Sequence, residues 1–296
     1  MNALQSWAQE RADLVARVAS SVVCVQTGPG RSLSGIVWDE QTVVTAAEGL
    51  SGDRALVHTR QDRFEAEVAA LDLTTDVGVL RVRSGQSAPA RGDSGSLRAG
   101  QPVVLVGQDA GDTLAQWADV QRVGPAWRSR RGGQIARTIR FSFRLDAALE
   151  GSAVFDASGA LCAMAVPGAR GRAIAIAVET LEAVTARVAQ FGYLPQPYLG
   201  VRLQPVWLDE VQRKELERER DTAVIVTGVD ARSPAQDAGL AFGDLLLSLD
   251  NRPVYSAGAV AREIAATGIG AVVQLEVRRG GAKKGFSVTV GERPRG

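Results

Sequence analysis

The feature that most constrains this chain is a succession of short, valine-rich runs punctuated by glycine, aspartate and serine. Residues 21–27 read SVVCVQT, and LSGIVWD, TVVTAA, RALVHT, FEAEVAAL and VGVLRV follow. After a glycine-containing break the pattern returns as QPVVLVG, WADVQRVG, ARTIRFSFR, SAVFDASG, ALCAMAV and AIAIAV. Branched side chains suit a pleated, half-buried surface, and the intervening Gly, Asp and Ser supply turns. Roughly a dozen short strands in two sets predict two packed antiparallel barrels. Aromatic residues at 5% and 32 glycines agree with a fold made of many strands and tight turns.

Helical patterns flank these sets. Leu4, Trp7, Leu14, Val15 and Val18 are spaced as on one side of an amphipathic helix over residues 1–20. Core packing is the simplest role for Trp7. ETLEAVTARVAQF places Leu181, Val184 and Val188 on one face and stops at Gly192. The proline-containing YLPQPY after it reads as an extended linker. The expected organisation is an N-terminal helix at 1–20, a double-barrel domain at 21–194 and a second domain at 195–296. The second domain alternates strand patterns (YLGVRL, AVIVTGV, GDLLLSLDNRPV, VVQLEVRRGGAKKGFSVTV) with helical ones (SPAQDAGL, SAGAVAREIAAT), as in a compact mixed α/β unit.

A charged stretch at 208–220 has helical character but no net support from its own charges. Glu210 with Lys214 and Arg213 with Glu217 attract at i,i+4. Lys214 with Arg218 and Glu215 with Glu219 repel. A tertiary contact or a partner is needed to hold such a helix.

Composition excludes several classes. A length of 296 residues suggests two ordinary domains, and a net charge of +1 gives no bulk attraction to nucleic acid or to an anionic membrane. Arg128, Arg130 and Arg131, beside Gly132 and Gly133, read as a solvated loop. Cys24 and Cys162 lie in apolar runs and read as buried free thiols, and their spacing does not argue for a disulfide. No cofactor or zinc site is expected, because two cysteines and the only histidine, His58, are too few ligands. No run reaches membrane-spanning length, and the N-terminal segment has acidic residues and no continuous apolar core. The expected location is cytoplasmic, or periplasmic if a signal has been removed.

Several segments together resemble the HtrA/Deg-type serine proteases. They are SVVCVQT, SGIVWDEQTVVTAAEGL, LDLTTDVGVLRV, DAALEGSAVFDASGALCAMAV and the region from YLGVRL to FSVTV, in the family's order along nearly the whole chain. SPAQDAGLAFGD followed by a strand and a tight turn resembles the bacterial PDZ pattern. The resemblance implies a mainly β protein: a trypsin-like double six-stranded antiparallel β-barrel followed by a small α/β PDZ domain. It also implies assembly as a trimer or as a subunit of a larger complex, for which the N-terminal helix with Trp7 is a further docking element.

The same resemblance locates the triad positions. The strand that ends in TAAH in the family ends here in Thr45, Ala46, Ala47 and Glu48. The aspartate run matches Asp76, Val77, Gly78, Val79 and Leu80. The nucleophile segment matches Glu150, Gly151, Ser152, Ala153, Val154 and Phe155, with Glu150 at the nucleophile position and a shortened approach from Asp146. A serine hydroxyl needs a base that takes and returns its proton, and a glutamate, with an ordinary pKa of about 4.3, is a poor shuttle. His58 falls on a strand away from that corner, and Ser152 lacks a histidine base under any alignment. The expectation is a pseudoprotease with no enzymatic activity. As alternatives, the carboxylates Glu48, Asp76 and Glu150 converge on a cation or on carboxylate chemistry, or they face solvent and pair with arginines such as Arg144; a residual serine endopeptidase is the second alternative.

For the PDZ part, the resemblance implies a groove that takes a protein or peptide C-terminus by strand addition. The carboxylate loop matches Tyr198, Leu199, Gly200 and Val201. Val201 and Leu203 begin the paired edge strand, and Ile264 lines the pocket from the neighbouring helix. The chain is then a protein-binding scaffold acting through this groove and the barrel surface.

Overall fold

Asn2 starts the first element. Its side chain accepts the Gln5 N–H and Gln5 returns a bond to the Asn2 N–H, a capping box that opens helix α1, Ala3–Val18. The computed structural model describes residues 2–28, 30–83, 85–216 and 218–294. Only Leu14 and Val18 of α1 are buried. Trp7 is 56% exposed and packs against the Arg11 guanidinium, which also lies over the Trp117 ring, rather than entering the core.

Six strands follow: β1 Val22–Gly28, β2 Arg31–Asp39, β3 Thr42–Thr45, β4 Arg54–His58, β5 Arg63–Asp72 and β6 Val77–Arg81. They close into an antiparallel barrel in the order β1-β2-β3-β6-β5-β4. Then come β7 Pro102–Asp109, β8 Asp112–Gly124, the two-residue pair β9 Trp127–Arg128 and β10 Gln134–Ile135, β11 Thr138–Arg144, β12 Ala153–Phe155, β13 Leu161–Pro167 and β14 Arg172–Ala177. Six of these close a second barrel, β11-β14-β13-β12-β7-β8. Helix α2, Val178–Phe191, ends at Gly192 with φ 77°, the left-handed stop that the sequence predicts.

The paired runs fill three cores in this unit. Val23, Val25, Leu33, Val43, Val57 and Leu80 fill the first barrel, and Leu105, Val120, Ile139 and Phe141 fill the second. The outward faces of both barrels, with Phe155, Met164 and Leu181 of α2, form the layer between them. Alternation of period two is what lets a valine-rich strand feed both an interior and an inter-barrel core. Full burial of a side chain such as Phe155 is worth about 1.5–3 kcal/mol.

The remaining elements are β15 Pro197–Tyr198, β16 Val201–Trp207, α3 Glu210–Glu215, β17 Thr222–Val229, α4 Pro234–Asp237, β18 Leu245–Leu249, β19 Arg252–Pro253, α5 Ala257–Thr267, β20 Val272–Arg279, β21 Ala282–Thr289 and β22 Gly291–Glu292. They form one sheet in the order β16-β17-β18-β20-β21, with β19 on β18 and a separate β15–β22 pair. Two units result: one holds the chain to Ser129 and Gln134–Leu194, the other holds Arg130–Gly133 and everything from Pro195. The side chains of Arg130 and Arg131 are exposed, but Gly132 is buried against the Arg262 backbone, so the basic segment is not wholly solvated.

The charged stretch is shorter as a helix than its pattern predicts. It is helical only over Glu210–Glu215, with Lys214 and Glu210 2.8 Å apart. The pair Arg213–Glu217 lies outside the described residues. Arg218, which would repel Lys214 in a continued helix, instead donates to the carbonyls of Leu247 and Val254 and lies 4.3 Å from the Tyr255 ring centroid.

Candidate functional site

β3 and β6 are neighbours, with Thr45 opposite Gly78, so the turn after β3 and the residue before β6 meet at one end of the first barrel. Asp76 sits there with φ 60°. Its Oδ1 accepts the Glu48 N–H at 2.8 Å, and its carbonyl accepts the Ala47 N–H at 3.4 Å. Burial pushes the Asp76 carboxyl up to about 6. The Glu48 N–H opposes that rise, and the charges of Glu48 and Glu150 add to it. Glu150 arrives from the second barrel, and burial raises its carboxyl also, with the Arg31 guanidinium opposing and Glu48 adding. Asp76 and Glu150 thus both feel the charge of Glu48. The arginine that acts on Glu150 is Arg31 and not Arg144, which lies against Gly171. Among the described residues, no group of three His, Cys, Asp or Glu side chains is arranged to hold a metal ion.

The shortened approach to Glu150 folds as a single 3₁₀ turn, Ala147–Leu149. Asp146 caps it. The Ala148 N–H donates to Asp146 Oδ1 at 3.0 Å, Leu149 N–H to Asp146 O at 3.0 Å and Glu150 N–H to Ala147 O at 3.2 Å. Gly151 N–H donates to Ala165 O at 2.9 Å, and Ser152 N–H to Leu149 O at 3.1 Å. Every backbone donor from Ala148 to Ser152 is thus engaged, four by backbone carbonyls and Ala148 by the exposed Asp146 side chain. The turn is locked onto β2: Ser34 N–H donates to Glu150 O at 2.8 Å, and Ser34 Oγ donates to Ala148 O at 3.0 Å. Gly151, at φ 81°, permits this approach, since a Cβ there would lie 2.2 Å from Ser34 O.

Neither substitute for a triad member is in place. Ser152 is fully buried, and its Oγ has no partner among the described residues. His58 stands opposite Cys24 on β1, with Nε2 3.1 Å from Gln26 Oε1. Both cysteines are buried free thiols, and burial pushes Cys162 up to about 12. The corner can hold and exchange protons on carboxylates. At its turn the Ala148 and Glu150 N–H groups already have acceptors, Asp146 Oδ1 and the Ala147 carbonyl.

In the second unit, Leu199 is buried in the core and its carbonyl accepts the Ala235 N–H at 2.8 Å. Gly200 has φ 82°, and its carbonyl accepts the Asp230 N–H at 2.8 Å. No acceptor for the Leu199 or Gly200 N–H is found among the described residues. Val201 and Leu203 on β16 pack half-buried on the cluster that contains Ile264 and Val260 of α5. Four of the six predicted groove residues thus share one apolar cluster. Tyr198 is different: its hydroxyl donates to Asp230 Oδ2 at 2.6 Å, and its ring faces the Arg293 guanidinium. Sequence reading missed Asp230, Ser233 and Arg293. The signal for Ser233 was present, since it is the cap of the SPAQ helix, with Oγ accepting the Gln236 N–H.

Comparison with known proteins agrees with this architecture. Residues 33–164 match the trypsin-like peptidase domain family, and residues 197–290 match the PDZ domain family. The two matches in this order give a trypsin-like peptidase domain followed by a PDZ domain, an arrangement similar to that of the HtrA/Deg-type proteases. HhoA of Synechocystis sp., named a serine protease, is 24% identical over 277 residues, 86% of this chain and 69% of that protein. Protease Do-like 1, chloroplastic, of Arabidopsis thaliana is 26% identical over 294 residues, 90% of this chain and 65% of that protein. A DegP-like periplasmic serine endoprotease of Halomonas elongata is 28% identical over 276 residues, but the chain spans only 56% of it. The solved HtrA-type protease AlgW with decapeptide superposes with a TM-score of 0.64 at 21% identity, over 96% of this chain and 99% of that one. Among the described residues no helix is long and apolar enough to cross a membrane.

Proposed function

We propose that this chain is a non-catalytic HtrA-like pseudoprotease that serves as a protein- or peptide-binding scaffold or regulatory subunit. One observation carries the reading. The N–H groups of Ala148 and Glu150 are taken up by Asp146 Oδ1 and the Ala147 carbonyl at 3.0 and 3.2 Å, at the turn where acyl transfer needs donors aimed at an oxyanion. The residue types support it. Carboxylates stand at 48 and 150, Ser152 is buried, and the only histidine is held by Gln26. The free N–H groups at Leu199 and Gly200, beside an aliphatic cluster, suit a carboxylate and an apolar terminal side chain. Assembly through the barrels belongs to the same reading.

The test has two arms. A fluorophosphonate probe and a casein-cleavage assay are expected to give no labelling and no cleavage. Stoichiometric labelling at Ser152 would overturn the non-catalytic reading. Free-carboxyl peptides are expected to bind, and the same peptides with amidated termini are expected not to. Equal binding of both forms would overturn the groove.

A further inference from the structure

We infer that β16 pairs by its backbone with only the last few residues of a peptide tail, because Pro205 removes the next donor, and that Trp207 takes the residues beyond. This rests on the reading of the second unit as a binder of free C-termini.

Two hydrogen bonds fix the phase of the strand. Leu208 N–H donates to Asp221 O and Asp230 N–H donates to Gly200 O, each at 2.8 Å. Antiparallel pairs alternate between those that exchange bonds and those that do not. β16 itself carries no extra residue: Arg202 stands opposite Gly228 and Leu203 opposite Val226, so the bulge is Thr227 on β17. Counting inward from either end gives the same result. Arg202, Gln204 and Val206 direct their backbone groups to β17, and Val201, Leu203, Pro205 and Trp207 direct theirs outward. β16 is the terminal strand of its sheet, so that outward edge is open. Proline is tolerated at 205 because the missing N–H lies on the unpaired side.

A carboxylate on the N–H groups of Leu199 and Gly200 sets the final ligand residue beside Val201. Antiparallel addition then pairs the third-from-last residue with Leu203. The fifth-from-last falls opposite Pro205, where its carbonyl meets no donor. Two positions on, the Trp207 side chain shares the face of Val201 and Leu203 and is 77% exposed. Leu208 separates it from Asp209 and Glu210, which open α3. An exposed indole face suits a cationic side chain. The ligand class is therefore a C-terminal tail with an aliphatic last residue and Arg or Lys about seven residues from its end.

The experiment uses the full chain and an array of free-carboxyl decapeptides ending in Val, Leu, Ile, Ala or Phe. The tightest is remade without a label at lengths of four, six and ten residues, the ten-residue form with Arg or Ala seventh from the end, and all are titrated by calorimetry. Wild type is expected to gain less than twofold between four and six residues. Pro205→Val, which restores one donor, is expected to gain about fivefold over the same step. Trp207→Ala is expected to lose the preference for Arg in the ten-residue peptide and to bind the six-residue peptide as wild type does. A fivefold gain in wild type between four and six residues, no gain in Pro205→Val, or an Arg preference that survives Trp207→Ala would overturn the inference. If no decapeptide binds any of these proteins, the reading of the unit as a C-terminus binder falls, and the inference with it.

Discussion

The Glu48 N–H donates to Oδ1 of Asp76 at 2.8 Å, which ties the two acidic positions of the first barrel together through the backbone of one and the side chain of the other. That bond favours the charged carboxylate, yet burial outweighs it and pushes Asp76 up to about 6. A carboxyl whose pKa is raised on folding binds its proton more tightly in the folded state. Its contribution to stability is fully present below the unfolded value, near 3.8, and is lost as pH rises through about 6. Stability is therefore expected to rise by roughly 1–2 kcal/mol through this group as pH falls from 7 toward 4. Calorimetric melting of wild type and Asp76→Asn across that range isolates the effect: the difference between them should shrink toward neutral pH in the wild type's disfavour.

The engaged donors of the Ala147–Leu149 turn make a second expectation. Glu48→His combined with Glu150→Ser restores the residue types of a triad but not the donors. Casein cleavage and fluorophosphonate labelling of this double variant are expected to remain at background. Removing a single oxyanion donor costs about 10²–10³ in rate in a working site, and here both are engaged elsewhere.

Gly200 is expected to tolerate no side chain. At φ 82° an alanine is strained, and its Cβ would lie 2.2 Å from the Ser233 Cβ. Gly200→Ala should destabilise the second unit by about 2–4 kcal/mol and abolish peptide binding. Hydrogen exchange should show faster opening of β16 and β17, with β1–β6 unchanged.

Asp244 is fully buried, and Arg279 holds both its oxygens, through Nε and Nη2, each at 2.6 Å. The guanidinium keeps the carboxyl below its ordinary value despite burial. Arg279→Met leaves the carboxylate uncompensated and is expected to cost about 3–5 kcal/mol. Arg279→Lys cannot reproduce the paired contact and should recover only part of that loss. Urea unfolding of the three proteins checks the order wild type, Lys, Met.

Much of this protein could be read from its residues. Short, nearly continuous valine-rich runs pointed to the two barrels, because a strand whose two faces both meet protein is apolar at successive positions, as in β1 and β13. Gly192 ended α2 at the expected place because a left-handed residue is what stops a helix there. The groove residues Leu199, Val201, Leu203 and Ile264 were named through the resemblance to the bacterial PDZ pattern, and the structure gathers them in one apolar cluster. Trp7 and the stretch at 208–220 were misjudged for one reason. An apolar or helical pattern states what a segment can bury, not whether a surface is there to receive it. Tertiary structure supplied none for Trp7, and it drew Arg218 to the carbonyls of Leu247 and Val254.

By itself the sequence determined which side chains stand at positions 48, 76 and 150, and that no second histidine exists to serve them. Only the tertiary structure decided where the backbone donors of residues 148–152 point and which edge of β16 is open. Those are matters of hydrogen-bond direction, set by long-range contacts such as Ser34 with Glu150 and Asp230 with Gly200, and side-chain identity does not encode them locally.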